Sequence, residues 1–141
     1  GSTHGKALRA APNLEKEAMK KNVLIIDDDP HRHKVFKNLY EDTHDLTHVY
    51  TYEAAIKILG TIKFDIVLLD HDLQGLFIED PITTTERTGL DIAIWMVDHL
   101  IERPKVYVHS MNPVGAKAIF LFLSEAGFPT VLKPMHLIGV L

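Results

Sequence analysis

Acidic residues in this sequence form two short groups, and each group directly follows a run of apolar residues. Asp27, Asp28 and Asp29 follow the run 22–26, and Asp70, His71 and Asp72 follow the run 66–69. Short apolar runs rich in Val, Ile and Leu are typical of strands that are buried on both faces of a parallel sheet. The carboxyl ends of such strands meet at one edge, where α/β proteins bind ligands. The two acidic groups are therefore predicted to lie together at that edge.

Two later apolar runs add polar residues to the same predicted edge. The run 105–108 precedes His109 and Ser110, and the run 130–132 precedes Lys133. Neighbouring strands lie ~4.8 Å apart, so carboxylates at their ends repel one another unless a cation joins them. Oxygen ligands suit Mg²⁺, or Mn²⁺ in its place, and a lysine opposite them would bind an anionic oxygen. This combination is typical of metal-dependent phosphoryl transfer.

The segments between the apolar runs predict helices that connect the strands. These helices are expected at 30–41, 51–60, 89–101 and 113–126, with a further strand at 46–50. Alternation of strand and helix predicts an α/β fold, a five-stranded parallel sheet with helices on both faces. Residues 22–141 would form this single domain after an N-terminal tail, 1–21, that is either disordered or a short helix. The long loop 74–88 is typical of a lid or binding loop, and residues 135–141 are too few for a full last helix.

Composition excludes several classes of function. The 141 residues include no cysteine and carry a net charge of −4. Thiol catalysis, disulfides and cysteine-based zinc sites are therefore excluded, and no basic surface for extended DNA binding is expected. No apolar stretch approaches the length of a membrane span, and no signal-peptide pattern opens the chain. A cytoplasmic location without a membrane partner is expected.

Taken together, the strand ends resemble the receiver domain of two-component response regulators. The matching segments are VLIIDDDP at 23–30, DIVLLD at 65–70, PKVYVH at 104–109 and VLKP at 131–134. The resemblance implies a flavodoxin-like fold with the strand order 2-1-3-4-5. The roles that it implies are a metal ion held by Asp27, Asp28 and the backbone carbonyl of Asp72, a phosphoaccepting Asp70, and a phosphate-binding Lys133 before a cis bond to Pro134.

Departures from the receiver pattern point to a diverged branch. His109 stands where receivers have Ser or Thr, His71 follows the expected phosphoacceptor, and the loop after the third strand is longer. With DHD at 70–72, GxxxAxW at 89–95 and HSxNP at 109–113, the chain resembles the cyclic-phosphate-processing receiver-like domains. That resemblance implies hydrolysis of a cyclic phosphate, with His71 or His109 supplying a proton.

The predicted function is accordingly a metal-dependent phosphoesterase acting on a cyclic nucleotide or on an RNA 2′,3′-cyclic phosphate end. The predicted site residues are Asp70, His71, His109 and Lys133 for catalysis, Ser110, Asn112 and Lys133 for phosphate, and Asp27, Asp28, Asp70 and Asp72 for the metal ion. His31 and His33 are predicted to be surface residues. Two alternatives stay open: a phosphoaccepting receiver in a phosphorelay, and a non-catalytic binding module. A protein partner would fit the side of the fourth and fifth strands, which the shortened last helix leaves exposed.

Overall fold

Strands and helices alternate along the chain, as the sequence predicts. The computed structural model describes residues 20–73 and 87–141, so the predicted tail and the long loop lie almost wholly outside the described residues. The elements are β1 (Asn22–Ile26), α1 (Pro30–Tyr40), β2 (Asp45–Val49), α2 (Tyr52–Leu59), β3 (Ile66–Asp70), α3 (Gly89–His99), β4 (Lys105–His109), α4 (Pro113–Glu125) and β5 (Thr130–Leu132). A single 3-10 turn, Met135–Leu137, follows β5.

The strands form one parallel sheet in the order β2-β1-β3-β4-β5, which confirms the predicted α/β fold and strand order. In the register of the sheet, Ile26 at the end of β1 lies beside Leu69, and Asp70 lies beside His109. The residue after β1, Asp27, therefore comes level with the last residues of β3 and β4. The polar residues that follow these strands therefore meet at one edge of the sheet, as the sequence predicts.

Helices cover the two faces of the sheet unequally. One face packs Leu24, Val67 and Val106 against apolar residues of α2, α3 and α4. The other face packs Ile25 and Leu68 against α1 and against the C-terminal residues after β5. Successive strand residues alternate between these faces, because side chains in a strand point to opposite sides in turn. The described part of the chain has no helix long and apolar enough to span a membrane.

Each of the four described α-helices begins at a side chain that satisfies a free backbone N–H group. Asp29, Thr51 and Asn112 accept hydrogen bonds from the first turns of α1, α2 and α4, and Thr88 forms a capping box at the start of α3. Such caps each stabilise a helix by roughly 0.5–2 kcal/mol. At the other end of α4, Gly127 takes a positive φ of 89°, the left-handed conformation that ends helices at glycine.

Two expectations about local structure are wrong. Helix α3 ends at His99 rather than at 101, because Leu100 adopts an extended conformation, and Ile101 is 98% exposed. The peptide bond before Pro134 is trans, since the described residues contain no cis bond. Pro134 instead precedes the 3-10 turn with a φ of −56° and a ψ of 150°.

Candidate functional site

Three of the predicted acidic residues meet at the carboxyl edge of the sheet. Asp27 follows β1, Asp28 is next to it, and Asp70 ends β3. Each offers one carboxylate oxygen, and these three oxygens lie within 4.8 Å of one another. Asp27 is 0% and Asp70 1% exposed, while Asp28 is partly exposed. Carboxylates this close and this buried repel one another unless a cation lies between them or one of them is protonated.

Arg32, in the first turn of α1, supplies a cation to this cluster. Its Nε and Nη2 atoms donate to the two carboxylate oxygens of Asp27 at 2.7 and 2.8 Å. The same Nη2 atom lies 3.3 Å from Oδ1 of Asp28 and 3.2 Å from Oδ2 of Asp70. Arg32 was not among the predicted site residues. Its spacing of four from Asp28, across the start of a helix, is the signal that would have indicated this ion pair.

Burial and charge shift the acid–base properties of this cluster. Burial, together with the neighbouring charge of Asp27, raises the pKa of Asp70 to about 8, although the Arg32 guanidinium opposes this shift. The hydrogen bond to Asp27 raises the pKa of Arg32 above its already high value. Arg32 therefore stays charged, while Asp70 is protonated over much of the neutral range when no further cation is bound.

His109 lies beneath the cluster, at the end of β4. It is 1% exposed, its ring packs edge-on against Phe36 of α1, and its Nε2 lies 3.9 Å from Oδ2 of Asp27. This nitrogen has no hydrogen-bond partner among the described residues. Burial lowers the pKa of His109 to about 4, so the imidazole is neutral at neutral pH. A neutral ring with a free nitrogen can hold a water molecule or a phosphoryl oxygen, but it is a poor proton donor.

His71 lies on the opposite face of the sheet from His109. Its ring packs against Gly115 of α4, where a Cβ atom would come within 2.5 Å of the imidazole. Its Nδ1 lies 3.0 Å from Oδ1 of Asp72. Because α4 and α1 cover opposite faces, the structure does not bring the two predicted imidazoles together.

The other predicted residues surround the start of α4 or lie outside the cluster. Ser110 donates to Oδ2 of Asp72 at 3.3 Å, and Asn112 accepts from the N–H group of Gly115 at 3.1 Å. Ser110 and Asn112 thus hold the N-terminus of α4, while their phosphate-binding role and the metal-binding role of Asp72 stay predictions. Lys133 is exposed, and within the described part of the chain it forms no ion pair with the acids.

A pocket of about 230 Å³ opens at this edge on the face covered by α1. Its walls include Arg32, Asp70, His109, Ser110, Met111 and Met135. A larger pocket of about 560 Å³ lies at the opposite end of the sheet, between the C-terminal ends of α2 and α3. Its walls carry Trp95 and His99 instead of a cluster of carboxylates, so the smaller pocket is the candidate site.

His33, predicted at the surface, is buried and supports the loop after β1. Its Nε2 donates to the backbone carbonyl of Asp27 at 2.7 Å, and its Nδ1 lies 2.7 Å from Nδ1 of His48. Because a carbonyl oxygen can only accept, the Nε2 atom of His33 carries a proton. Burial lowers the pKa of His48, which favours the neutral form of His48. The histidine pair fixes the backbone from which the Asp27 carboxylate projects.

The residues present fit a divalent ion. Three convergent carboxylate oxygens form a donor set that hard divalent cations prefer, and Mg²⁺ usually binds through one or two carboxylates and several waters. The guanidinium of Arg32 among the same oxygens shows that the cluster accommodates positive charge. The cluster therefore can bind a metal ion.

Comparisons with known proteins place the chain in one superfamily. Residues 22–125 match the profile of the cyclic-phosphate processing receiver domain. A search of curated proteins finds no match. Among solved structures, the chain is similar to the signal receiver domain of a protein described as a LuxO repressor from Vibrio parahaemolyticus. That comparison has 21% identity, a TM-score of 0.61, and covers 82% of this chain and 80% of the other.

Two further solved structures share the fold. A CheY-like response regulator receiver domain from Methylobacillus flagellatus has 18% identity and a TM-score of 0.57, with 81% of this chain and 86% of that chain covered. A response regulator from Burkholderia pseudomallei, solved with a phosphorylated aspartic acid and a calcium ion, has 20% identity and a TM-score of 0.57, with 80% of this chain and 59% of that chain covered. The matched profile spans most of the sequence, and the chain belongs to the family of cyclic-phosphate processing receiver domains.

Proposed function

We propose that this chain hydrolyses a cyclic phosphate in a reaction that depends on a divalent ion at the carboxyl edge of the sheet. The observation that carries the proposal is His109, a buried imidazole with an unpartnered Nε2 atom 3.9 Å from Asp27. It occupies the position where the receiver pattern has a hydroxyl. The description of the family, cyclic-phosphate processing, supports the same reaction.

Asp27, Asp28 and Asp70 would hold the ion. When bound, a divalent ion at such a site supplies positive charge for the phosphoryl oxygens and lowers the pKa of water. The carboxylates themselves would hold the ion beside the pocket that Asp70 lines, because β1 and β3 fix their backbone positions. Mg²⁺ and Mn²⁺ both suit three carboxylate oxygens.

The size of the pocket limits the substrate. At about 230 Å³ it is smaller than the sites of roughly 300–1,000 Å³ that enclose drug-sized ligands. We infer that it admits the cyclic phosphate and its sugar while the base stays outside. Met111, which lines the pocket and is 87% exposed, would lie beside the part that stays outside. A nucleoside 2′,3′-cyclic phosphate or the end of an RNA chain meets this requirement.

Hydrolysis forms one bond from water oxygen to phosphorus and breaks one ring bond from phosphorus to oxygen, and a proton passes to the leaving oxygen. His109, with a pKa of about 4, is neutral and would accept a hydrogen bond from the attacking water. His71 lies on the other face of the sheet, which makes it a weak candidate for donating the proton. The attacking water would release one proton to solvent as its oxygen bonds to phosphorus, and the leaving oxygen would take one proton from solvent at the open side of the pocket.

The test is turnover of a panel of cyclic nucleotides and 2′,3′-cyclic-phosphate RNA ends with Mg²⁺ or Mn²⁺, followed by chromatography. Asp70→Asn and His109→Gln should each lower kcat/KM by about 100-fold or more, because each removes a group that contacts water, ion or phosphate. His99→Gln, at an exposed residue in the wall of the larger pocket, is the matched control and should leave the rate unchanged. Absence of product from every substrate would remove hydrolysis as an activity of this chain.

A phosphoaccepting receiver is the second candidate, and the position of Asp70 favours it. This residue ends β3 beside the acidic cluster and lines the pocket. The related Burkholderia pseudomallei structure contains a phosphorylated aspartic acid. Treatment with acetyl phosphate and Mg²⁺ would then leave an acid-stable, base-labile phosphoryl group on the wild type that mass spectrometry detects and that Asp70→Asn lacks. An unlabelled wild type, with ion binding demonstrated, would exclude this role.

A further inference from the structure

A single nitrogen atom of Arg32 contacts all three carboxylates that would hold the divalent ion. Nη2 lies 2.8 Å from Asp27, 3.3 Å from Asp28 and 3.2 Å from Asp70. These are the residues whose oxygens lie within 4.8 Å of one another. A second cation at this position would be repelled by the guanidinium and would compete with it for carboxylate lone pairs. Arg32 and a divalent ion are therefore alternative occupants of the cluster.

We propose that Arg32 is a tethered cation that a divalent ion displaces, and that the displaced guanidinium becomes the phosphate-binding group of the pocket. The phosphate-binding role of Arg32 rests on the proposed function, whereas its displacement by an ion concerns the carboxylate cluster alone. Arg32 thereby takes the role that the sequence assigned to Lys133. Phosphate binding would then require the ion, because the ion releases the group that binds phosphate.

The surroundings of Arg32 permit this exchange. Its side chain is 23% exposed, so one side of the guanidinium faces the opening while the carboxylates hold the other. Arg32 already lines the pocket together with His109 and Ser110. A displaced side chain would therefore stay at the pocket of the proposed phosphate site. The planar fork of arginine also pairs with two phosphoryl oxygens at once.

Lys133 is less suited to the same task in this chain. It is exposed, and the pocket is lined by the residues that follow it, Pro134 and Met135. With a trans bond before Pro134, the chain enters the 3-10 turn directly after β5. Among the described residues, Arg32 is thus the basic side chain in contact with the acidic cluster.

The competing explanation is a permanent structural clamp. If Arg32 only holds α1 against the ends of β1 and β3, its removal would destabilise the fold and weaken the cluster. Ion binding would then be reduced or unchanged in its absence. Competition predicts the opposite sign, an increase in ion affinity, and this difference in sign separates the two explanations.

The experiment is a calorimetric titration of Mn²⁺ into the whole chain. Arg32→Ala should bind Mn²⁺ about tenfold more tightly or better, since the ion no longer displaces charge-assisted hydrogen bonds. The matched control is Lys34→Ala, which removes one positive charge from an exposed position on the same helix. Because salt screens this exposed charge, Lys34→Ala should change the Mn²⁺ affinity by less than about threefold. Equal or weaker binding by Arg32→Ala, in protein shown to be folded by circular dichroism, would overturn the proposal.

A second titration uses inorganic phosphate with Mn²⁺ at saturation. Wild-type protein should bind phosphate only when Mn²⁺ is present, and Arg32→Ala should bind it at least about tenfold more weakly under the same conditions. Lys133→Ala should bind it as the wild type does. Loss of phosphate binding in Lys133→Ala, with retention in Arg32→Ala, would refute the assigned role of Arg32. Neither titration depends on turnover, so a chain that hydrolyses no cyclic phosphate can still show the exchange.

Discussion

At the scale of single residues, Asp70 and His109 are neighbours in the register of the sheet whose pKa values move in opposite directions. Burial raises the pKa of Asp70 to about 8 and lowers that of His109 to about 4. Both shifts favour the uncharged form, because both side chains are about 1% exposed. Charging either of these two side chains therefore destabilises the folded protein.

These shifts predict how stability depends on pH without a divalent ion. From pH 3.8 to 8, native Asp70 keeps a proton that the unfolded chain releases, so its contribution falls as pH rises. From pH 4 to 6.5, the unfolded chain binds a proton at His109 that the native state does not, so that contribution rises with pH. The two effects oppose each other below pH 6.5, and only the decline due to Asp70 remains above it.

We therefore expect the free energy of unfolding to fall by about 1–2 kcal/mol between pH 6.5 and 8, since a fully developed one-proton difference is worth ~1.4 kcal/mol per pH unit. Urea denaturation at several pH values measures this change. Asp70→Asn should remove the decline, and saturating Mn²⁺ should reduce it by favouring ionised Asp70. A wild-type stability that stays level or rises over this range would contradict the assigned state of Asp70.

The acidic residues could be predicted from the sequence because each directly follows an apolar strand. The separation of His71 from His109 could also have been deduced: His71 follows Asp70, and successive strand residues face opposite sides. Arg32 and His33 were harder to place, since their contacts depend on how the first turn of α1 lies against β1. A basic or imidazole side chain after an acidic loop is equally compatible with a solvent-exposed helix.

At the scale of elements, two helices approach the end of β3 at glycines. At Gly89, the first residue of α3, a Cβ atom would lie 2.2 Å from the backbone oxygen of Asp70. At Gly115 in α4, a Cβ atom would lie 2.5 Å from the ring of His71. The backbone contact has no freedom to adjust, whereas an imidazole can rotate away. The two glycines thus set how closely α3 and α4 pack against the site.

Substitution at Gly115 tests whether His71 belongs to the reactive pocket. Gly115→Ala should displace the His71 ring and lower the free energy of unfolding by about 1–3 kcal/mol, as overpacking does. Because His71 lies on the face away from the pocket, Mn²⁺ affinity should change less than about threefold. Unfolding by urea and calorimetry measure the two quantities. A large loss of Mn²⁺ binding in folded Gly115→Ala would show that His71 takes part in the site.

Element boundaries were predicted well where a cap or a glycine marks them. Thr51, Asn112 and Gly127 are such marks, and each stands at the end of a helix in the structure. The end of α3 was not marked: its apolar periodicity continues to Ile101, although Leu100 already leaves the helix. Tertiary context decided that boundary, because the chain must turn there to reach β4.

In the whole molecule, residues 135–141 pack on the face of the sheet that α1 covers. Ile138 is 3% exposed and packs with Tyr107 and Phe36 in one cluster, and the Tyr40 hydroxyl donates to the backbone oxygen of Gly139 at 2.5 Å. This short segment thereby completes the apolar cluster on that face of the sheet. That a protein partner binds the flank of β4 and β5, where Leu132 is 38% exposed, stays a prediction.

Two substitutions in this segment form a matched test of its contribution. Ile138→Ala should lower the free energy of unfolding by about 2–5 kcal/mol, the usual range for a buried isoleucine cut back to alanine. Val140→Ala, at a residue that is 93% exposed, should change it by less than about 0.5 kcal/mol. Urea denaturation measures the free energy of unfolding of both variants. Equal effects would mean that the segment does not pack on the sheet in solution.

We have proposed that one cluster at the carboxyl edge of a receiver fold binds both a divalent ion and a phosphate. A crystal structure with Mn²⁺ and vanadate, with anomalous data collected at the manganese edge, would show both binding positions. We expect one manganese peak among Asp27, Asp28 and Asp70, with the Arg32 guanidinium turned from these carboxylates towards the vanadate. A manganese peak on other residues, or Arg32 still bonded to Asp27 beside a bound ion, would contradict the claim.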